Sequence, residues 1–423
     1  MTTVLLTLGR LPKSLDLARG FSRAGCRVLV AEPFPWHLAG ASRHVARSYR
    51  VPPPSQSKAA YLAALDAIIA DEGVDLVVPV SEETMHVAFL RDRLMGRARL
   101  FTMPPDRVLA LHDKAGFIRQ GEACGVPVPR THDLGSAGAR ELAAERDVVV
   151  KPVFSCSGRG VRVLRRGGAL PPPDPADPAI VQAFVPGRVH SSCTIAHDGR
   201  AVATVIYRGT VMSGTVAVAF ERVPAYAAIT AWINRFVEAA GWSGFISFDF
   251  IVADSGEVHG IECNPRATSG VHFWEPKDIA GAILDPARYG GPGGAQVRVR
   301  PQEQLQQFYS CLTETQMAVF RRDGALNRLR RLMTTKDVTW EWRDPVPFLT
   351  MTMTSWRIIV LSIARRTTFG EVATLDVGWY EDPPCLGAAS PGAGVPHAPG
   401  AAVLQPHAYS GEAVPTCANR HPL

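Results

Sequence analysis

Apolar and polar positions alternate along the first hundred residues in two periods. Residues 3–9 (TVLLTLG) form a largely apolar run, 14–25 (SLDLARGFSRAG) carry apolar side chains at helical spacing and stop at Gly25, and 27–32 (RVLVAE) have an apolar centre again. This is the signature of a strand, a crossover helix and a parallel strand. The pattern returns in 61–73 followed by 74–80 (VDLVVPV), and in 83–94 followed by 98–104. The expected first domain is therefore a Rossmann-like α/β unit spanning residues 1–112. Its first turn, GRLPKS, lacks the G-x-G-x-x-G that a dinucleotide site requires, so this unit reads as a scaffold without a nucleotide.

The period changes after residue 112. A helix over HDKAGFIRQGEACG leads into short strands at 147–154, 160–164, 179–185, 191–209 and 215–223, and their alternation predicts antiparallel sheets. The stretch 165–178 (RRGGALPPPDPADP) reads as a surface loop. A helix over 228–242 precedes two strands, 247–264, joined by Asp-Ser-Gly. Residues 302–332 have helical character and open a C-terminal lobe ending near residue 383. From Cys385 to Leu423, Pro, Gly and Ala dominate without periodicity, which predicts a disordered tail.

Composition narrows the function classes. A chain of 423 residues, 46% hydrophobic, has material for two or three cores. The net charge of +6 comes without a basic run interleaved with aromatics, so no nucleic-acid partner is expected. Eight cysteines without a C-x-x-C pair argue against structural zinc or a disulfide scaffold and fit a reducing cytoplasm. The run FLTMTMTSWRIIVLSIA is interrupted by Arg357, and no export signal, membrane span or membrane partner is expected. Arginine outnumbers lysine 39 to 6, which gives each lysine some weight as a deliberate choice of a compact ammonium.

Two stretches carry candidate chemistry. In VVVKPVFSCSGRGV a strand delivers Lys151 into small residues and glycines able to close over phosphates, although such a loop is also an ordinary turn. In SFDFIVADSGEVHGIECNPR the tight turn can bring Asp249 and Glu262 onto one sheet face, with Asn264 two residues further on that face. Carboxylates at a solvated rim are the other reading. The apolar flanks FDFI and GIEC favour oxygen ligands for Mg²⁺ held together with phosphates. Pro265 ends the strand, and Arg266 offers a planar fork to a phosphoryl group or oxyanion.

Residues 1–290 resemble the ATP-grasp enzymes, chiefly carboxylate-amine ligases and the large chain of carbamoyl-phosphate synthetase, on FDF…IECNPRATSG and on the order of the parts. The resemblance implies an ATP-grasp domain over 113–290 after the 1–112 unit, with an extension at 300–383 and a tail at 385–423. It implies ATP with Mg²⁺ or Mn²⁺ and a small carboxylate joined to an amine through an acylphosphate. It places Lys114, Lys151 and the lid Ser155, Ser157, Gly158, Arg159 and Gly160 at the phosphates, and the hinge Gln182, Ala183, Phe184 and Val185 at the adenine. Asp249, Glu262 and Asn264 take the metal and Arg266 the transferred group. The usual ribose-binding Glu is replaced by Val189, with His190 beside it as a candidate replacement or a packed residue. A homodimer is the assembly to expect. A kinase-like phosphotransferase and a non-catalytic nucleotide binder are the alternative functions. The loop 207–223 with Arg208 and Arg222, and the aromatics Phe273 and Trp274, are candidates to bracket the substrate or to serve structure.

Overall fold

The computed structural model describes all residues except 156, 157, 159, 225, 292, 322–324, 366–367 and 380–423. The expected disordered tail and the lid residues Ser157 and Arg159 thus lie outside the described residues.

The first unit comprises β1 (Thr3–Leu6), α1 (Pro12–Arg23), β2 (Arg27–Glu32), β3 (Arg47–Arg50), α2 (Lys58–Glu72), β4 (Leu76–Val78), α3 (Thr84–Val87), α4 (Arg91–Leu94) and β5 (Arg99–Leu100). All five strands are parallel in the order β3-β2-β1-β4-β5, the doubly wound arrangement that the repeated strand–helix pattern predicts. Pro12 opens α1 at a position where a missing N–H costs nothing, and Gly73 in the left-handed conformation closes α2.

The next elements are α5 (Pro105–His112), α6 (Lys114–Ala123), β6 (Thr131–Asp133), α7 (Ala137–Glu145), β7 (Val148–Pro152), β8 (Arg162–Leu164) and β9 (Ala179–Ala183). These strands make a four-stranded antiparallel sheet, β6-β9-β7-β8. Val148, Val150, Val181 and Ala183 pack on α7, which leaves Lys151 and Gln182 on the opposite face.

A larger sheet follows from β10 (Arg188–His197), β11 (Arg200–Ser213), β12 (Val216–Arg222), α8 (Ala227–Ala240), β13 (Gly244–Val252), β14 (Val258–Asn264) and α9 (Pro276–Leu284). The chain then forms β15 (Gln304–Gln306), α10 (Phe308–Arg321), α11 (Ala325–Thr334), β16 (Lys336–Asp337), α12 (Val346–Leu349), α13 (Met351–Thr354), α14 (Trp356–Arg365) and α15 (Phe369–Val372). The sheet order is β14-β13-β10-β11-β12-β15-β16, antiparallel up to β15. Here the helical expectation for 302–332 is corrected at its start. Gln304–Gln306 is a strand because it completes the edge of β12, a pairing that local periodicity does not encode.

The large sheet is buried on both sides. One face carries Cys193, Ile195, Val205, Tyr207 and Phe220 and meets Leu17 and Phe21 of α1 and Ile279 and Ile283 of α9. The other carries Phe248, Phe250 and Cys263 against Phe117 of α6 and Trp232 and Phe236 of α8. Trp232 stacks on Phe236 with ring centroids 5.3 Å apart and stands edge-on to Phe250 at 5.0 Å. Helix α1 is thereby trapped between the parallel sheet and the large sheet, with its N-terminus aimed at the end of β13 and β14.

Candidate active site

The hairpin β13–β14 turns through Ala253–Glu257, with Gly256 at φ 86°, a conformation that costs other residues strain. The resulting register places Asp249 directly opposite Glu262 and Ser247 opposite Asn264, so both carboxylates occupy one face. It is the face shared with Ser191, which also pairs with Asp249 in register, and therefore the face that meets α1. Ser191 Oγ donates to Asp249 Oδ1 at 2.6 Å, and Asn264 Nδ2 donates to Asp249 Oδ2 at 3.2 Å. Loss of hydration, followed by the negative charge of Glu262, pushes the Asp249 carboxyl up to about 6. Ser191, Arg266 and Lys151 act in the opposite direction without cancelling the combined effect of burial and Glu262.

Three cations surround this pair. Lys114, at the start of α6 and capped by Asp113, reaches across to Ser155 O at 2.9 Å and Ser155 Oγ at 3.2 Å, and its Nζ lies 3.6 Å from Glu262 Oε1. Lys151 extends from β7 to Gln182 Oε1 at 2.8 Å and Ile261 O at 3.5 Å. Burial lowers its ammonium to about 8, while Glu262 pulls in the opposite direction. Arg266 donates to Asn264 Oδ1 at 2.9 Å and pairs with Glu82 Oε1 at 2.5 Å. Lys151 and Gln182 face the carboxylate pair across the cleft between the two antiparallel sheets.

The sequence expectations divide accordingly. Lys114, Lys151, Ser155, Gln182, Asp249, Glu262, Asn264 and Arg266 come together. Gly158 and Gly160 both have positive φ, 65° and 75°, in the tight turns of the lid. At positions 183 and 184, Ala183 N donates to Arg130 O and Phe184 N to Asp147 O, so both amides are engaged within the protein. His190 is not brought to the cluster. It lies opposite Phe250, on the other face from Asp249, with Nδ1 3.1 Å from Arg188 O and its ring beside Tyr226. Of the two roles open to Phe273 and Trp274, the structure gives the structural one, since both are buried in the core. Arg208 pairs with Glu221.

The residues that sequence reasoning missed come from the first unit. Lys13 of α1 is buried and donates to Ala267 O at 2.7 Å. Burial, then the neighbouring Arg266, lowers its ammonium to about 7. Glu82, after β4, is buried with its Oε2 lacking a hydrogen-bond partner among the described residues. Burial would raise its carboxyl, but the charges of Arg266, His112 and Lys13 bring it below the usual range. His112 is buried nearby and depressed by that burial to about 4. The scarcity of lysine was the available signal for Lys13, since it is one of only six.

Oxygen donors on adjacent strands, with cations arranged around them, thus gather between two antiparallel sheets. Residues 111–270 match the family model described as an ATP-grasp domain, and this part of the chain is an ATP-grasp domain. Among solved structures, biotin carboxylase from Campylobacter jejuni, crystallised as a β,γ-ATP complex, superposes with a TM-score of 0.54 at 17% identity, over 69% of this chain and 72% of that one. The L-amino acid ligase of Bacillus licheniformis gives a TM-score of 0.52 at 15% identity, over 67% and 74%. Phosphoribosylamine–glycine ligase of Thermotoga maritima gives 0.53 at 16%, over 71% and 78%. At these identities the likeness is one of fold. No curated protein matches the sequence significantly.

Proposed function

We propose that the protein is an ATP-dependent ligase that activates a small carboxylate as an acylphosphate and passes the acyl group to an amine. The observation that carries this reading is the Asp249–Glu262 pair set between Lys114, Lys151 and Arg266. The donor set fits Mg²⁺. Among the described residues no three His, Cys, Asp or Glu side chains gather as a metal cage, whereas two facing carboxylates with an amide suit a cation that takes its remaining oxygens from phosphates and water. The raised Asp249 carboxyl fits the same reading, because a divalent cation favours the ionised form that burial and then Glu262 disfavour. When bound, Mg²⁺ neutralises the charge that accumulates on phosphate oxygens.

In this reading Lys114 and Lys151 bind the phosphates and the turns at Gly158 and Gly160 close over them. A carboxylate oxygen attacks the γ-phosphorus and ADP leaves; Arg266 steadies the transferred group through its planar donors. The amine nitrogen then attacks the acyl carbon, phosphate departs and the nitrogen loses a proton. Lys13, Glu82 and His112 border the cleft beside Arg266 and supply the wall against which the acceptor lies. Chemistry of this kind depends on positioning and charge neutralisation, which the site provides in quantity.

The test is ADP release by the purified protein with Mg²⁺-ATP against carboxylates and amino acids, offered singly and in pairs. Release requiring a pair supports ligation, release with a single hydroxyl compound indicates a phosphotransferase, and binding of ATP without release under any combination overturns the proposal. Glu262→Gln should abolish turnover at ordinary Mg²⁺ while leaving the fold intact, because the amide keeps the shape and removes the charge.

A further inference from the structure

The 300–383 segment contains an apolar surface that neither the fold nor the site uses. From Val346 to Arg365 the chain is helical almost without a break: Leu349, Thr350, Thr354, Ser355 and Ile359 each donate to the carbonyl four residues earlier. Met351 packs towards Leu15 and Leu38, and Ile358 towards Phe34 and Val372. These contacts fix which side faces outwards. That outer side carries Val346, Leu349, Met353, Trp356, Val360 and Ile363, spaced alternately by three and four residues so that they form one continuous row. All six are exposed, Leu349 at 70% and Ile363 at 73%, and Trp342 precedes them at 83%. Single exposed apolar residues are ordinary, but a complete row on an anchored helix is a surface with a partner.

Charge identifies that partner. No acidic residue occurs between Asp344 and Glu371, and Asp344 is buried against Arg19. Arg343 and Arg357 are exposed along this stretch, Arg357 flanking the row, whereas Arg365, seven residues after Ile358, falls on the anchored side. Helix α11 repeats the arrangement. Its Leu332 faces the sheet, Leu326, Leu329 and Met333 are exposed, Arg330 and Arg331 stand exposed beside them, and residues 324–336 include no carboxylate. Pairing of two copies along this row would bring arginines together without a counter-charge, which disfavours self-association. Among the described residues no helix is long and apolar enough to cross a membrane. An apolar face rich in Trp, Leu and Met, rimmed by arginine, is the composition of a helix lying in the plane of a lipid interface.

We propose that the outer face of α12–α14 docks the protein reversibly on an anionic lipid bilayer, with the apolar row entering the boundary of the acyl chains and Arg343 and Arg357 meeting lipid phosphates. The proposal is independent of the ligase reading, since none of these residues touches the Asp249–Glu262 site.

The test is co-sedimentation of the full chain with vesicles of phosphatidylcholine, with and without phosphatidylglycerol, across a series of salt concentrations. Binding is expected only with phosphatidylglycerol and should weaken as salt rises. The charge reversal Arg343→Glu with Arg357→Glu should lower partitioning by roughly tenfold or more, as should Trp356→Ser with Ile363→Ser. Melting and ATP binding of both variants should match wild type, because the substituted side chains point outwards. Absence of wild-type binding to anionic vesicles overturns the proposal, as does undiminished binding by both folded variants. A concentration-dependent dimer that Trp356→Ser with Ile363→Ser dissolves, without any lipid binding, overturns it in favour of a second copy as the occupant. Vesicle binding with unchanged ADP release leaves the ligase reading to its own test.

Discussion

Asp16→Asn probes how the first unit is fastened to the large sheet and the segment beyond it. Asp16 is fully buried in α1, where Oδ1 accepts from Arg300 Nη2 at 2.6 Å and Oδ2 meets His272 Nδ1 at 2.6 Å. Burial alone would raise its carboxyl, but Arg300, His272 and Arg19 outweigh burial and bring it from 3.8 down to about 2. At about 1.4 kcal/mol per tenfold change in proton affinity, that depression corresponds to roughly 2–3 kcal/mol of stability near neutral pH. The variant also leaves Arg300 buried beside a neutral group, so a total loss of about 3–5 kcal/mol is expected. For a chain of this size the melting temperature should fall by roughly 5–10 °C, read by differential scanning fluorimetry. The sign with pH follows from the depressed carboxyl. The contribution is complete above the ordinary carboxylate range and disappears as pH falls towards 2, so the gap between wild type and variant should be equal at pH 7 and pH 5 and shrink below about 4. Asp278→Asn is the control, because its partner Arg298 is 72% exposed and such a pair contributes about 1 kcal/mol or less. A melting temperature for Asp16→Asn within about 2 °C of wild type would refute the reasoning.

Lys151→Ala should weaken binding of a non-hydrolysable ATP analogue by roughly tenfold or more in calorimetric titration, the worth of a charge-assisted contact. Because burial lowers the Lys151 ammonium to about 8, analogue affinity of the wild type should also decline as pH rises from 7 to 9, and a flat profile would argue against a direct contact. Arg266→Lys should bind the analogue almost normally yet lose about 100-fold in ADP release, since an ammonium reproduces neither the planar fork nor the simultaneous contacts to Asn264 and Glu82. Trp232→Ala, which empties the aromatic cluster under β13, should cost about 3–5 kcal/mol in denaturant unfolding.

What the sequence revealed depended on how local the determining interactions are. The parallel unit was legible because each strand–helix pair writes its own period. The Asp249–Glu262 face was legible because one tight turn sets the register of a hairpin. Lys114 and Lys151 could be placed through the likeness of their motifs, not through periodicity. Lys13 and Glu82 escaped because their position depends on α1 packing between two sheets, a contact between segments some 250 residues apart in the case of Lys13 and Ala267. His190 was ambiguous for a different reason: a strand alternates faces, and only the pairing of β10 with β13 decides that Ser191, and not His190, points at the site. The strand at Gln304–Gln306 was read as helix because three residues at a sheet edge carry almost no period of their own.

The buried charges of the first unit explain why the chain continues beyond the ATP-grasp domain. Arg10 is buried between Glu32 and Asp376, Asp16 between His272 and Arg300, and Arg19 against Asp344. Each lies in or just before α1, and each takes a partner from residue 272 or later. A buried charge without its partner is far more costly than an exposed one, so these pairs fix a single placement of α1 instead of merely adding to stability. That placement puts Lys13 beside Ala267 and, through β4, Glu82 beside Arg266. The segment from Arg300 to Trp379 therefore acts on the site without entering it. It holds the N-terminal unit where Lys13 reaches Ala267 and Glu82 reaches Arg266.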